Sequence, residues 1–403
     1  MSTFTPKTPD EVAEVVRWAA SEEQALELVG RGTKRGLGRP VQAAHTLDLS
    51  GLSGVVDYEP AELVLTARPG TPMAELEGLL AAEGQHFAFE PADLGPLLGG
   101  EAGQGTLGGA LGCNLAGPRR IQAGAARDHF LGFSAVSGRG EAFKAGARVV
   151  KNVTGYDLMK LVAGSYGTLA ALTEVSVKVL PAPATVRTLL VHGLDDATAI
   201  RTMAAALKSP HEVSSAAHIP AAVAHAFPGL PGPATAIRIE GVEASVGPRA
   251  TQLADLLMGF GEISSLDTDA SKVFWRAVRD VQPFVADRTR VVWRVSVPPA
   301  AGASVAAQVA RDVDAQAFHD WGGGLIWIGV APSGPEDGGA AVIRAAVAAV
   351  GGHATLMRAP EPVRAVVDVF HPQPPALAAL AARVKAGFDP GRILNPGRMA
   401  AGV

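Results

Sequence analysis

VGRGTKRG, residues 29–36, decides most of what this sequence predicts about its fold. The apolar stretch Leu26 to Val29 reads as a short strand that runs directly into a turn punctuated by glycine. Such a turn can direct several backbone N–H groups at one anion, and Lys34 or Arg35 would add positive charge. The segment therefore predicts a pyrophosphate site. An ordinary strand-to-turn connection that needs glycine at positive φ is the alternative.

A second glycine-rich segment, GQGTLGGALG at residues 103–112, contains a GxGxxG pattern that begins at Gly103. A Rossmann dinucleotide site also requires a strand just before the pattern and an acidic residue at the end of a strand about 20 residues later. Prolines and glycines interrupt residues 91–102, and Asp128 precedes a predicted strand instead of following one. The sequence therefore disfavours a nicotinamide site and favours a loop that lies against an extended ligand. Close packing of a small-residue helix is the alternative.

A third segment, residues 153–181, joins a short helix-like stretch to a strand with alternating valines. Gly164 and Gly167 separate the two elements, and Thr168 places a hydroxyl at their junction. A turn of this composition can present N–H groups to a ribose or a phosphate. The strand ends at Pro181, which we take as the first domain boundary.

Local signals predict alternating strands and helices in the part of the chain that carries these segments. Asp10 is expected to cap a helix over 11–20, and Thr71 is expected to cap a second helix. Two strands, 130–136 and 142–150, flank a tight SGRG turn and predict a hairpin.

Composition limits the function classes. The 403 residues are enough for two or three domains, and 48% hydrophobic with 18% charged residues indicates a folded protein. A net charge of −4 gives no support to nucleic-acid binding. The single cysteine, Cys113, excludes an internal disulfide and an iron–sulfur site built from this chain alone. There is neither a signal peptide pattern nor an apolar run of about 18 residues, so we expect a cytoplasmic chain without a transmembrane segment.

In this order, and followed by FDPGRILNPGRM at 388–399, the three segments resemble the vanillyl-alcohol-oxidase family, whose FAD domain is called PCMH-type. Within that family the pattern is most similar to the FAD-binding subunits of bacterial glycolate oxidases. The resemblance covers nearly the whole chain and is strongest over 26–181. It implies an α+β fold with a two-subdomain FAD-binding domain at 1–181, an α+β cap at 182–385, and a C-terminal tail at 386–403 that returns to the FAD domain.

The resemblance also implies cofactor contacts. The turn that would hold the FAD pyrophosphate comprises Gly30, Arg31, Gly32, Thr33 and Lys34. The other positions that would line the cofactor are Gly105, Thr106, Leu107, Gly108, Gly109, Asn114, Arg127, Asp128, Gly164, Gly167, Thr168 and Asn395.

The attachment of FAD is expected to be noncovalent. Relatives that tether the cofactor use a histidine or cysteine beside the flavin ring, often in the pyrophosphate turn, and residues 29–36 contain neither. Cys113 and His129 are the nearby candidates for a tether, although a buried cysteine is usually a small core residue.

The catalytic residues are harder to assign. Larger relatives that oxidise 2-hydroxyacids carry a histidine-rich metal and carboxylate site in the cap, and the corresponding stretch here, residues 317–329, retains only His319. The sequence therefore predicts no metal. Oxidation of a 2-hydroxyacid needs a base of near-neutral pKa and a cation for the carboxylate. His319 and Arg294 are the catalytic candidates, with Arg276 and Arg358 as further cations, and each could instead be structural.

The resemblance implies partners as well as a reaction. In the first hypothesis the chain oxidises glycolate or a similar small 2-hydroxyacid, and the electrons pass to an iron–sulfur subunit of a complex that contains a larger homologous FAD subunit. Through those partners the complex would lie at the inner membrane. In the second hypothesis the chain binds FAD only as an electron relay or scaffold. The third is a stand-alone alditol or D-lactate oxidase that uses oxygen.

Overall fold

The computed structural model describes residues 2–146 and 156–401, and these form two compact units. The first unit is made of Met1–Ala116, Gly124–Ala182 and Asp368–Val403. The second unit is made of Gly117–Ala123 and Pro183–Val367. The second unit therefore ends at Val367, whereas the predicted cap extends to residue 385.

Strands and helices alternate through most of the described chain. The strands are β1 (Ser2–Phe4), β2 (Leu26–Val29), β3 (His45–Asp48), β4 (Val55–Glu59), β5 (Val64–Ala67), β6 (Gln85–His86), β7 (Phe130–Ser137), β8 (Ala142–Gly146), β9 (Ala170–Lys178), β10 (Leu180–Pro181), β11 (Thr185–His192), β12 (Val213–Ile219), β13 (Ala234–Gly241), β14 (Ile263–Leu266), β15 (Val291–Ser296), β16 (Ala315–Asp320), β17 (Leu325–Val330) and β18 (His353–Arg358). The helices are α1 (Pro9–Ser21), α2 (Met73–Ala82), α3 (Leu107–Gly112), α4 (Arg120–Ala123), α5 (Ala126–His129), α6 (Leu158–Val162), α7 (Asp196–Lys208), α8 (Ala221–Ala224), α9 (Glu243–Leu257), α10 (Thr268–Arg279), α11 (Gly302–Asp312), α12 (Ala340–Ala348), α13 (Glu361–Val366) and α14 (Pro375–Phe388).

The first unit contains a small parallel sheet of order β1-β3-β2. Helix α1 buries Val12, Val16 and Ala19, which recur at helical spacing, in one hydrophobic cluster with Leu26 and Leu47 of the sheet. This packing fixes strand β2, and with it the start of the glycine turn that follows.

The second sheet of the first unit has five antiparallel strands in the order β4-β5-β9-β7-β8. Strands β7 and β8 form the hairpin that the sequence predicted, with Val136 opposite Ala142. Residues 147–150 of the predicted second strand, like residues 151–155, lie outside the described residues. Aromatic side chains of Phe89, Phe130 and Phe133 are buried in the core on this sheet.

Two helix starts differ from the prediction. Thr8, not Asp10, caps α1, because its hydroxyl oxygen accepts the N–H of Glu11 at 3.2 Å. Helix α2 begins at Met73 after Pro72, and Thr71 does not cap it. The Thr71 hydroxyl instead donates to the carbonyl of Arg68 at 2.7 Å.

The C-terminal tail pairs with the small parallel sheet. The sequence predicted that residues 388–399 contain no helix. In the structure Phe388 is the last residue of α14, and residues 389–399 lie outside helices. The N–H of Leu26 donates to the carbonyl of Ile393 at 2.7 Å, and the N–H of Asn395 donates to the carbonyl of Leu26 at 2.9 Å. These bonds place Asn395 beside the end of β2.

The second unit is built on one eight-stranded sheet of order β14-β11-β13-β12-β16-β17-β15-β18. Helices α7 and α9 cover one face, where Met203 and Leu253 pack against Ile237 and Ile239. Across residues 2–146 and 156–401, no helix has the length and apolar character needed to cross a membrane.

Candidate cofactor-binding site

The first unit contains a cleft of about 830 Å³, which includes the space open to solvent. The lining residues come from several parts of the chain: Leu28, Val29, Gly30, Arg31, Gly32, Thr33, Lys34 and Arg35; Leu49; Pro69; Thr106, Gly108, Gly109, Gly112 and Cys113; Val162, Ser165, Tyr166, Gly167, Ala170 and Leu172; and Asn395 and Arg398.

The turn after β2 forms one wall of the cleft and offers backbone donors. Gly32 has a φ of 72°, a value that favours glycine. Within the described part of the chain, the N–H groups of Arg31, Gly32 and Thr33 have no hydrogen-bond acceptor. Three neighbouring N–H groups without acceptors in a concave turn are the arrangement that binds an anion.

The start of α3 forms the facing wall, but its backbone donors are already used. The N–H of Leu107 donates to the carbonyl of Thr71 at 3.0 Å, and the N–H of Gly108 donates to the carbonyl of Pro69 at 2.8 Å. The N–H of Gly109 donates to the hydroxyl oxygen of Thr106 at 3.2 Å. The GxGxxG segment therefore contributes a flat glycine surface to the cleft and no free N–H groups from these three residues.

The segments that line the cleft approach each other closely at Gly30 and Gly167. A Cβ added to Gly30 would lie 2.6 Å from the hydroxyl oxygen of Thr106. A Cβ added to Gly167, whose φ is 71°, would lie 2.9 Å from both Asn395 and Leu28. Side chains at these two positions would force the segments apart, so the shape of the cleft requires glycine there.

Asn395 joins three of the lining segments. Its side-chain oxygen accepts the N–H of Leu28 at 2.8 Å, and its amide nitrogen donates to the carbonyl of Tyr166 at 2.8 Å. Asn395 itself adopts a φ of 44° and is buried. The residue therefore holds the end of β2, the 164–168 turn and the C-terminal tail together.

One of the two candidate cations of the turn is left to act on a ligand. Arg35 pairs with Glu27 at 3.1 Å, and Glu27 also pairs with the buried Arg398 at 3.1 Å. Lys34 has no carboxylate partner among the residues that the structure describes, and its ammonium lies 3.4 Å from the position that a Cβ of Gly109 would occupy. Lys34 therefore supplies a positive charge in the cleft that no carboxylate of the described chain neutralises.

Cys113 lines the cleft, whereas His129 does not. His129 is buried against Phe89, with 5.3 Å between ring centroids. Burial raises the pKa of the Cys113 thiol, and the charges of Lys34 and Arg398 offset this only in part. The thiolate is the nucleophilic form of cysteine, so this environment disfavours reaction at Cys113.

Several of the positions implied by the resemblance are not among the residues that line the cleft. Leu107 is fully buried in the hydrophobic core. The Asn114 side-chain oxygen accepts the N–H of Arg127 at 3.0 Å, and Asp128 accepts the N–H of Ala125 at 2.9 Å. The remaining members of this group are Gly105, Arg127, Gly164 and Thr168.

Some residues of the cleft were not named individually from the sequence, among them Ser165, Tyr166 and Arg398. Ser165 and Tyr166 lie between the glycines at 164 and 167, and Tyr166 has a φ of 54°. Arg398 comes from the C-terminal tail and donates to the carbonyl of Leu37 at 2.8 Å. The proximity of Tyr166 to two glycines was an available signal, but contacts between residues 37 and 398 cannot be read from sequence spacing.

The catalytic candidate His319 lies in the second unit and is fully buried. Its Nε2 lies 3.2 Å from a carboxylate oxygen of Asp196, and the other oxygen of Asp196 lies 3.3 Å from Nε2 of His218. His218 is itself buried, and its Nδ1 bonds to the hydroxyl of Thr235 at 2.9 Å. Burial favours protonation of Asp196, yet the two histidines hold its pKa well below its usual range.

The other catalytic candidate, Arg294, stacks on an aromatic ring. Its guanidinium lies 4.9 Å from the ring centroid of Trp321, and that of Arg120 lies 4.6 Å from the same ring. Arg358 donates to backbone carbonyls, including that of Phe284 at 2.6 Å, and Arg276 is exposed on α10. Arg358 and Arg294 thus both have partners within their own unit.

A buried ion-pair network lies on the sheet face opposite α7 and α9. Arg119 pairs with Glu240 through two hydrogen bonds, one of them 2.9 Å long, and Arg238 lies 3.8 Å from Glu240. Arg238 also stacks over Trp275 at 4.7 Å. Burial favours protonation of Glu240, but the charges of Arg238 and Arg119 lower its pKa to about 2.

The cleft fits FAD on three counts. The unsatisfied N–H groups near Gly32, together with Lys34, suit a diphosphate. The glycines at its narrow points admit an extended ligand against the backbone. Apolar side chains, among them Val162 and Leu172, provide surfaces for flat rings.

Comparisons with known proteins agree with this fit. The family model for an FAD binding domain matches residues 2–146. The glycolate oxidase subunit GlcE of Escherichia coli K12 is 34% identical over 390 residues, which cover 96% of this chain and 95% of GlcE. The glycolate oxidase subunit GlcD of Bacillus subtilis 168 is 26% identical over 190 residues, 47% of this chain and 39% of GlcD. The solved structure of 4-ethylphenol oxidase from Gulosibacter chungangensis, 13% identical, has a TM-score of 0.75 over 99% of this chain and 88% of that chain.

These matches confirm the predicted fold class and the predicted cofactor. The chain has an α+β fold with an FAD-binding domain, and the likeness to 4-ethylphenol oxidase concerns the fold alone.

Proposed function

We propose that this chain, which belongs to the family of the glycolate oxidase subunit GlcE, is the FAD-binding subunit of a 2-hydroxyacid dehydrogenase complex. The proposed reaction is the oxidation of glycolate to glyoxylate. The resemblance of the sequence had predicted this family. The observation that carries this proposal is the cleft of the first unit. There the N–H groups of residues 31–33 are left without acceptors within the described chain, and the ammonium of Lys34 is left without a carboxylate partner.

The residues of the cleft would bind and orient the cofactor. The turn from Gly30 to Lys34 would hold the diphosphate, because it combines backbone donors with a positive charge. The glycine surface of α3 and the 164–168 turn would enclose the rest of the molecule and exclude water. FAD, when bound, supplies the hydride acceptor, so the chemical step depends on the cofactor and the protein contributes position and electrostatics.

Noncovalent attachment is part of the proposal. It is supported by the raised pKa of the Cys113 thiol and by the burial of His129 against Phe89 outside the cleft. Acid precipitation of the holoprotein tests it. We expect a colourless pellet and a yellow supernatant, whereas a yellow pellet would refute noncovalent attachment.

The substrate and the partners are also proposals. GlcE and GlcD are named as subunits of glycolate oxidase, so a small 2-hydroxyacid is the proposed substrate and a larger homologous FAD subunit is a proposed partner. The proposed electron acceptor is an iron–sulfur subunit. Its cluster would lie on another chain, because this chain has one cysteine and cannot hold such a cluster alone. The complex would be cytoplasmic and attach to the inner membrane through these partners.

A second candidate function is supported by the surroundings of the predicted base. His319 is fully buried and shares the carboxylate of Asp196 with His218, so it has no open side from which to reach a substrate. In this version the chain binds FAD and relays electrons or acts as a scaffold, and substrate is oxidised on the larger FAD subunit.

Anaerobic mixing of the isolated holoprotein with glycolate, D-lactate and an alditol separates the functions. Loss of flavin absorbance with glycolate supports an active dehydrogenase subunit. No loss with the isolated chain, together with flavin reduction once the larger subunit is added, supports the relay. Loss with the alditol and not with glycolate would point to a stand-alone alditol oxidase and would overturn the glycolate proposal. A correctly folded sample that takes up no FAD would overturn the cofactor site itself.

A further inference from the structure

A buried ion pair lies at the end of α14, directly behind the cleft. The side chains of Lys385 and Asp389 are 3% and 0% exposed, and Nζ of Lys385 lies 2.6 Å from a carboxylate oxygen of Asp389. Transfer of two charged groups from water into the protein interior is costly, and apolar residues of similar volume often stabilise a fold equally well. Stability alone therefore does not explain why a lysine and an aspartate stand here.

The hydrogen bonds of the pair suggest another role. Besides Asp389, the ammonium of Lys385 donates to the carbonyls of Thr168 at 2.7 Å and Leu394 at 2.8 Å, which uses all three of its donors. Asp389 accepts the N–H groups of Ile393 at 3.1 Å and Leu394 at 2.9 Å. The ion pair thus connects the end of α14 and the tail that follows it to Thr168, which lies 217 positions before Lys385.

Each connected segment continues into the cleft. Thr168 follows Gly167, which lines the cleft, and Leu394 precedes Asn395. Asn395 in turn bonds to Leu28 at the end of β2, two residues before the first glycine of the pyrophosphate turn. A shift of the pair would therefore displace the turn at 164–168 and the tail relative to β2.

We propose that Lys385 and Asp389 are positioning residues that hold the 164–168 turn and Asn395 in the geometry that binds FAD, an inference that rests on the proposed binding of FAD in this cleft. Three ammonium protons directed at three different acceptors fix the segments in a way that apolar side chains of the same volume cannot. The effect is on cofactor affinity, and neither residue needs to touch the cofactor.

The test measures FAD affinity and thermal stability on the full-length apoprotein. FAD is titrated and its fluorescence quenching gives Kd, while far-UV circular dichroism gives the thermal midpoint. The single variant Lys385→Met leaves Asp389 as an unpaired buried charge and is expected to lose both stability and affinity. The double variant Lys385→Met with Asp389→Asn removes both charges and keeps an acceptor at position 389. We expect it to regain most of the thermal midpoint, yet to bind FAD at least tenfold more weakly than the wild type.

Two further variants complete the design. Arg383→Met removes an exposed cation from the same helix and should leave both measurements unchanged. Lys385→Arg keeps the charge, but the planar guanidinium cannot donate in the same three directions, so we expect FAD affinity to fall between threefold and tenfold. If the double variant does not fold, Lys385→Arg decides the question.

The outcomes are distinguishable from failure of the proposed function. A wild-type protein that does not bind FAD overturns the cofactor site. If the wild type binds FAD and the folded variants at position 385 bind it equally well, only the positioning role is overturned.

Discussion

The two polar regions of this protein use their hydrogen-bonding groups in opposite ways. In the cleft of the first unit, the N–H groups of residues 31–33 have no acceptor within the described chain, and the ammonium of Lys34 has no carboxylate partner there. In the second unit, the carboxylate of Asp196 is shared by two buried histidines, and the carboxylate of Glu240 is held by two arginines. Unsatisfied donors at an open cleft indicate a ligand site, whereas buried carboxylates that face histidines or arginines of the same unit stabilise the fold.

This difference separates two kinds of sequence signal. A ligand explains the glycine N–H groups and the lysine in the cleft, because the chain provides the first with no acceptor and the second with no carboxylate. His319 is a predicted catalytic residue, and in the structure its Nε2 lies against Asp196. Substitutions in the cleft should therefore change cofactor affinity without changing stability, and substitutions in the buried networks of the second unit should do the reverse.

The largest expected effect comes from Gly32→Val in the cleft. Its φ of 72° disfavours a β-branched residue, and the new side chain would occupy the anion turn. We expect FAD affinity to fall at least about 1,000-fold, or about 4 kcal/mol, and the purified protein to be colourless but folded. Gly84→Val is the matched control, because Gly84 has a φ of 63° but lies outside the cleft. Retention of flavin by Gly32→Val would contradict the pyrophosphate assignment.

The next effect concerns pH and the buried network around Glu240. Its folded-state pKa of about 2 lies below the ordinary value of 4.5, so its ionised form stabilises the protein above pH 4.5, and this contribution is lost as the pH falls towards 2. At about 1.4 kcal/mol for each pH unit in this window, the contribution is about 3 kcal/mol. Urea unfolding of the wild type and Glu240→Gln across this window measures it.

We expect the stability advantage of the wild type over Glu240→Gln to shrink as the pH falls from 4.5 to 2. Glu22→Gln, which removes an exposed carboxylate, serves as the control and should follow the wild-type curve. Parallel curves for the wild type and Glu240→Gln would show that the arginines do not hold this carboxylate ionised.

His319→Ala distinguishes a structural from a catalytic histidine. Because His319 is buried and bonded to Asp196, its loss should lower the free energy of unfolding by about 2 kcal/mol and leave FAD affinity unchanged. The exposed His225→Ala should change stability by less than about 0.5 kcal/mol. A large fall in the rate of flavin reduction by glycolate with unaltered stability would restore the catalytic assignment.

The smallest expected effect is that of Lys34→Met. Loss of one charge-assisted contact to a diphosphate should weaken FAD binding about tenfold, or about 1.4 kcal/mol, with little change in thermal midpoint. The exposed Lys208→Met is the control for removal of one positive charge. If Lys34→Met binds FAD as the wild type does, and at the same salt dependence, the ammonium does not face the diphosphate.

The sequence by itself determined the features that are local in the chain. The strand that ends at Val29, the turn at Gly32 and the hairpin of β7 and β8 follow from residue composition and spacing within a few positions. Those patterns, in their order along the chain, were enough to identify an FAD-binding α+β fold. They also disfavoured a Rossmann site, because the required strand before Gly103 was missing.

Only the tertiary structure decided which groups are left to act on a ligand. Glu27 pairs with Arg35, whereas Lys34 has no carboxylate partner in the described chain. The carbonyls of Thr71 and Pro69 accept the N–H groups of Leu107 and Gly108 at the start of α3. The carboxylate of Asp196 lies against Nε2 of His319. Whether a polar group is satisfied depends on partners that the fold brings together, such as Leu28 and Asn395, which are 367 positions apart. Hydrogen bonding and burial are properties of the packed chain, and for that reason local sequence cannot specify them.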